Sequence, residues 1–325
     1  MVVFAYTMSR FFYAFLFGDR RNGIKENGKL NRQTATGIVF MKKGLVLEGG
    51  AMRGMFTAGV TDVMMEHGIT FDGMIGVSAG AAFGCNYKSH QIGRVIRYNK
   101  RFCREPKFCS FRSLLKTGDL YGNEFCWHTL PDELDVFDRD AYRADPMAFY
   151  AVCTDIESGR AVYHRCDAGD DIDLEWMRAS SSMPLVSRPV VIGDKKLLDG
   201  GVSDSIPLRF FEHIGYEKNV VILTQPEDYE KKPQKYFGLI RLALRRYPNL
   251  VKAIAGRYIR YNRTLDYIRE AEAEGRAFVV RPPEKLQIGS VEHDPEKLEA
   301  VYQIGRRTGE QCIGEMQQFL NEEQR

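Results

Sequence analysis

The chain has 325 residues, 44% hydrophobic and 27% charged, ordinary values for a soluble globular protein with room for one large domain or two modest ones. A net charge of +3 gives no ground for a nucleic-acid partner. Seven scattered cysteines, with no C-x-x-C pair and no Cys/His metal spacing, fit reduced thiols in a cytosolic protein better than a disulfide or zinc scaffold.

Residues 1–40 open with "RFFYAFLFGDRR", an apolar run too short to span a bilayer and without a signal-peptide cleavage pattern. Residues 18–36 are polar and show neither helical nor strand periodicity. A dispensable or disordered extension is expected there, with a membrane-associating arm as the alternative. "GLVLEGG" (44–50) reads as a buried strand ending in glycines, and "MFTAGVTDVMMEHG" (55–68) as a helix stopped near Gly68. "GMIGV" (73–77) is a second buried strand, followed by a small-residue helix. Strand, glycine loop and helix thus occur twice in succession, the pattern of an α/β fold with parallel strands. Residues 102–146 are irregular. Residues 147–164 read as two strands about a turn at Ser158-Gly159, 174–184 as a helix stopped by Pro184, and 189–201 as a hairpin turning at Gly193-Asp194. "NVVILTQ" (219–225) and "AFVVRPP" (277–283) are further strands, and 294–320 keeps a helical period.

Three segments carry chemistry. Gly76-Val77-Ser78-Ala79-Gly80 is a G-x-S-x-G pattern between a strand and a helix, where a nucleophilic serine sits on a sharp turn. The ordinary alternative is an N-cap serine in a tight βα turn. Gly49-Gly50-Ala51-Met52-Arg53-Gly54 is a strand-to-helix loop whose backbone N–H groups suit a phosphate or a developing oxyanion. It matches neither the dinucleotide pattern nor the P-loop, although a nucleotide phosphate remains an alternative occupant. Asp199-Gly200-Gly201 ends an apolar strand and offers a carboxylate, or is a common Asp-Gly turn.

In this order the three motifs resemble those of the patatin-like phospholipase family. The resemblance spans about residues 43–215, with a C-terminal part similar to one bacterial branch. It implies a three-layer α/β/α sandwich with a mostly parallel central sheet. The catalytic core would occupy 41–225, with a mostly helical region, 226–325, packed on it. It also implies a serine acyl hydrolase acting on lipid esters without metal or organic cofactor. Ser78 would be the nucleophile, Asp199 its partner carboxylate, and backbone amides of the 49–54 loop the oxyanion hole. The family's third glycine is Ala51 here; if that position requires φ > 0, a Cβ costs about 1 kcal/mol or more. A non-catalytic lipid-binding protein and a thioesterase are the alternatives. A Ser-Asp-His triad through His213 or His293 competes with the two-residue arrangement.

Between Lys231 and Arg263 there are ten Lys/Arg and no Asp/Glu, interleaved with apolar residues and divided at Pro248. The stretch fits a peripheral contact with the anionic inner face of a membrane, or equally a pair of ordinary helices with solvated arginines. The oligomeric state is not legible.

Overall fold

The computed structural model of the chain describes residues 41–322; the expectations for residues 1–40 lie outside it. The strands are β1 (Lys42–Leu47), β2 (Gly73–Val77), β3 (Ala148–Asp155), β4 (Ala161–Arg165), β5 (Val190–Ile192), β6 (Lys195–Asp199), β7 (Tyr216–Ile222) and β8 (Ala277–Val280). They form one sheet in the order β5-β6-β3-β2-β1-β7-β8, with β4 paired to β3. The β3-β2-β1-β7-β8 stretch is parallel, and the pairings of β3 with β4 and β6 and of β5 with β6 are antiparallel.

The helices are α1 (Gly54–Glu66), α2 (Ala79–Lys88), α3 (Arg94–Phe102), α4 (Phe111–Thr117), α5 (Arg139–Ala144), α6 (Asp171–Ser181), α7 (Leu208–His213), α8 (Phe237–Ala243), α9 (Pro248–Ala273) and α10 (Pro295–Asn321). A π-helical segment, Phe125–Leu134, lies in the region whose sequence has no period. Pro248 starts α9, where its missing N–H costs no helical hydrogen bond.

Alternation along the central strands fixes the layers. Leu45, Leu47, Met74, Val220 and Ile222 face a cluster formed with α1, α2 and α10. Val46, Ile75, Val77 and Val221 face the other way, onto Leu208 and Phe211 of α7 and onto Tyr261, Leu265 and Ile268 of α9. Both faces are buried, so the strands read as continuous apolar runs. This is the three-layer α/β/α arrangement with a mostly parallel sheet. α1 and α10 cross at backbone contact: a Cβ on Gly59 would lie 2.2 Å from the Tyr302 carbonyl, and one on Gly305 2.1 Å from that of Phe56.

Candidate active site

The parallel strands β1 and β2 end side by side, with Leu47 in register with Gly76, so the two glycine loops that follow them meet. A Cβ on Gly49 would lie 2.7 Å from the Val77 carbonyl and 2.8 Å from Ser78 Cβ. One on Gly76 would meet the Gly80 carbonyl at 2.4 Å, and one on Gly80 the Leu47 carbonyl at 2.4 Å. The glycines of both motifs are therefore spacing requirements between backbones.

Ser78 joins β2 to α2 at φ 55° and ψ −122°, a conformation costly for a residue with a Cβ. Neighbours hold it there. Its N–H donates to Ser180 Oγ (3.0 Å), which in turn donates to the Val152 carbonyl (2.6 Å), and Ser181 Oγ donates to the Ser78 carbonyl (3.1 Å). The position is an N-cap, but the side chain makes no capping bond. Its hydroxyl lies close enough to the carboxyl of Asp199 to favour the ionised form of that group.

Asp199 ends β6, opposite Cys153 of β3, and is 6% exposed. Its carbonyl accepts from Thr154 Oγ1 (2.8 Å), its N–H donates to the Ser182 carbonyl (2.8 Å), and its Oδ1 accepts the Gly201 N–H (2.7 Å). Gly200 is needed because a Cβ there would lie 2.1 Å from the Val152 carbonyl. Burial raises the carboxyl pKa above its ordinary value; the Ser78 hydroxyl, the Arg257 charge and the Gly201 N–H offset part of the rise.

The 49–54 loop forms a short 3₁₀ turn, Ala51–Arg53, leading into α1. The Arg53 N–H donates to the Gly50 carbonyl (3.1 Å), and the Gly54 N–H to the Ala51 and Met52 carbonyls. Those two donors are used inside the turn, which narrows the expected amide set. The Gly50 and Ala51 N–H groups have no protein acceptor among the described residues. Ala51 has φ 49°, so its Cβ is carried in the left-handed region. Glu48 anchors the loop from below, accepting from the Thr224 N–H (2.7 Å), Thr224 Oγ1 (3.1 Å) and the Tyr261 hydroxyl (2.7 Å).

Ala51, Met52 and Ser78 are among the residues that line a cavity enclosing about 1090 Å³, its open mouth included. Phe83, Phe108, Trp127, Leu130, Phe137 and Leu174 supply much of its wall. Asp199 stands just behind Ser78 and does not line it. None of the six histidines lines it either: His213 is exposed, and the His293 ring meets the Cys103 carbonyl at 2.5 Å. His164 lies within β4, stacked on Trp176 at 4.0 Å. It also belongs to the described group best placed to hold a metal, with Cys166 and Asp173, whose ligand atoms lie within 4.8 Å of one another. There Asp173 Oδ2 already accepts the Ala168 and Gly169 N–H groups, at 2.7 and 2.8 Å. None of the described helices is long and apolar enough to cross a membrane.

Sequence reasoning missed Ser180, Ser181 and Arg257. The signal for the serines was the run "SSS" at the end of α6; Arg257 was indistinguishable from its basic neighbours.

Residues 45–211 match the Patatin-like phospholipase family, and the chain belongs to that family. Residues 247–321 match a domain of unknown function, DUF6363. The uncharacterized protein YjjU of Escherichia coli K12 is 27% identical over 296 residues, covering 86% of this chain and 79% of its own length. Lysophospholipase nte1 of Aspergillus oryzae is 24% identical over 286 residues, covering 83% of this chain but only 18% of its own length. Among solved structures, VipD from Legionella pneumophila aligns with a TM-score of 0.44 and 12% identity over 86% of this chain and 68% of its own.

Proposed function

We propose that the protein hydrolyses carboxylic esters of lipids through an acyl-Ser78 intermediate. The observation that carries this reading is the Ser78 hydroxyl, held at a strained turn, lining a mostly apolar cavity with the buried Asp199 carboxyl next to it. As Ser78 Oγ attacks the ester carbonyl carbon, its proton passes to Asp199. The negative charge on the former carbonyl oxygen is met by the Gly50 and Ala51 N–H groups and the N-terminal dipole of α2. Collapse breaks the ester bond, and the leaving alcohol takes the proton from Asp199. Water then attacks the acyl-enzyme, giving its proton to Asp199. The fatty acid leaves as Ser78 recovers a proton. Burial of Asp199 makes it a stronger base than a solvated carboxylate.

Ala51 does not remove a donor, because alanine keeps its N–H. The strain of its positive φ, about 1–2 kcal/mol, falls on stability. The reading is tested by turnover of a short-chain fatty ester. Ser78→Ala and Asp199→Asn should each lower kcat/KM by about 10³-fold or more while the circular dichroism spectrum is unchanged. Full turnover by either variant would end the proposal.

Access to substrate would come through peripheral contact with anionic lipid. Phe237 and Ile240 of α8, with Leu244 just after it, pack inward against the cluster of Leu250 and Ile254. Tyr236, Leu239 and Leu242 are 80%, 69% and 61% exposed, among exposed Lys232, Lys235, Arg241, Arg245 and Arg246. Exposed leucines within a basic surface suit the interface of an anionic bilayer better than water.

A further inference from the structure

Three positively charged side chains from three parts of the chain come close enough to act on one another, with Arg257 next to Asp199. Arg53 follows Met52 in the loop after β1, Lys231 lies beyond β7, and Arg257 is in α9. None of the three lines the cavity. Arg257 abuts the Asp199 turn: a Cβ on Gly201 would lie 3.0 Å from one of its terminal nitrogens. The Lys231 ammonium lies over the Tyr261 ring at 4.4 Å and the Tyr229 ring at 5.9 Å, and Tyr261 donates to Glu48 at the base of the loop. Among the described residues, no carboxylate comes within 4.0 Å of any of the three charges, whereas other cations close to the site are paired: Arg94 with Asp135 and Arg178 with Glu175. Glu48 is the acid that Lys231 feels, and both its oxygens accept hydrogen bonds from Thr224 and Tyr261; Asp199 is the acid that Arg257 feels.

The arrangement is costly. The Nε atoms of Arg53 and Arg257 are buried without an acceptor. Lys231 is pushed down to about 8 by burial and then by the Arg257 charge, with Arg53 adding to the effect and Glu48 opposing it. Three clustered like charges with unfilled donors oppose folding unless something offsets them. A phosphate does so: it accepts several charge-assisted hydrogen bonds and brings negative charge to the three cations.

We infer that Arg53, Lys231 and Arg257 form a subsite for the phosphate of a glycerophospholipid, and that Lys231 and Arg257 set the preference for phosphate-bearing esters over neutral glycerides. The inference rests on the hydrolase reading and deepens it. An amphiphile would lay its acyl chain in the cavity and its phosphate against the cations, leaving the ester at Ser78. Lys231 and Arg257 lie outside residues 45–211, the segment that matches the family.

The test compares a lysophospholipid with the monoacylglycerol bearing the same acyl chain, at pH 7, on the full chain. The wild type should prefer the lysophospholipid by about tenfold or more in kcat/KM, and Lys231→Met and Arg257→Gln should each remove about tenfold of that preference through KM. Lys231→Met should leave monoacylglycerol turnover within about twofold and raise Tm, because it relieves repulsion; a merely structural lysine would lower Tm. Equal turnover of the two esters by the wild type, or a preference that survives both substitutions, overturns the subsite. Inorganic phosphate inhibiting as strongly as sn-glycerol 3-phosphate would assign the cations to free phosphate and overturn the headgroup assignment. If neither ester is cleaved, the hydrolase reading falls. The subsite is then judged by lysophospholipid binding to Ser78→Ala with and without Lys231→Met: a loss of affinity supports it and equal affinity overturns it.

Discussion

Around Ser78 the site is made by backbone, whereas around Arg257 it is made by side chains. In the first region, glycines at 49, 76, 80 and 200 are required because carbonyls of neighbouring strands and turns stand 2.1–2.7 Å from where a Cβ would be. Few sequences satisfy such contacts, so the requirement surfaces as fixed motifs. In the second, long flexible cations from residues 53, 231 and 257 come within electrostatic reach of one another, and many other positions in the chain could have supplied a charge there. The comparison teaches that a site's polypeptide scaffold leaves a sharp trace in the sequence, whereas its electrostatic surroundings leave only a bias in composition.

The sharpest way to break this contrast is to add one methyl group on the backbone side. Gly80→Ala drives a Cβ into the Leu47 carbonyl, and should lower stability by about 3 kcal/mol or more in chemical denaturation. A variant of unchanged stability would show that the loops can part. On the side-chain side effects should be graded. Replacing both Leu239 and Leu242 by glutamine should weaken binding to anionic vesicles by about 10- to 100-fold in co-sedimentation, given about 1.5 kcal/mol or more per buried leucine. Binding indifferent to these changes or to anionic lipid content would remove α8 as the contact.

The two regions meet at Asp199, whose raised pKa gives a pH test. Only the carboxylate accepts the Ser78 proton, so turnover should fall as pH drops through a limb centred above the ordinary carboxylate value. Arg257→Gln removes a charge that favours the carboxylate and should move that limb to higher pH. A limb that stays put would uncouple α9 from the catalytic chemistry. The smallest effect is expected at Ala51. Ala51→Gly relieves the positive φ and should stabilise the fold by up to about 1 kcal/mol, with turnover changed less than severalfold. A gain of orders of magnitude would mean that the alanine had impaired the oxyanion site.

The three layers were legible because β1, β2 and β7 carry apolar runs buried on both faces at residues 45–47, 73–77 and 220–222, and the helices between them keep their period and stop at recognisable residues. β8 was legible through "AFVV" ahead of its prolines. The π-helical segment 125–134, which helps wall the cavity, was not: its hydrogen bonds follow no period that apolar residues mark, and Pro131 lies inside it. Ser78 and Asp199 were legible as motif residues, but the support of Ser78 by Ser180 and Ser181 depends on how α6 docks against the β2–α2 turn, which no local pattern records. Among ten basic residues from 231 to 263, only tertiary placement separates Lys231 and Arg257 from Lys232 or Arg246, whose side chains meet water.

The most direct test of the central claim is to treat the protein with a fluorophosphonate and map the adduct by mass spectrometry. The account predicts a single adduct on Ser78, absent in Ser78→Ala and formed far more slowly in Asp199→Asn. An adduct on another residue, or undiminished labelling of Asp199→Asn, would contradict it.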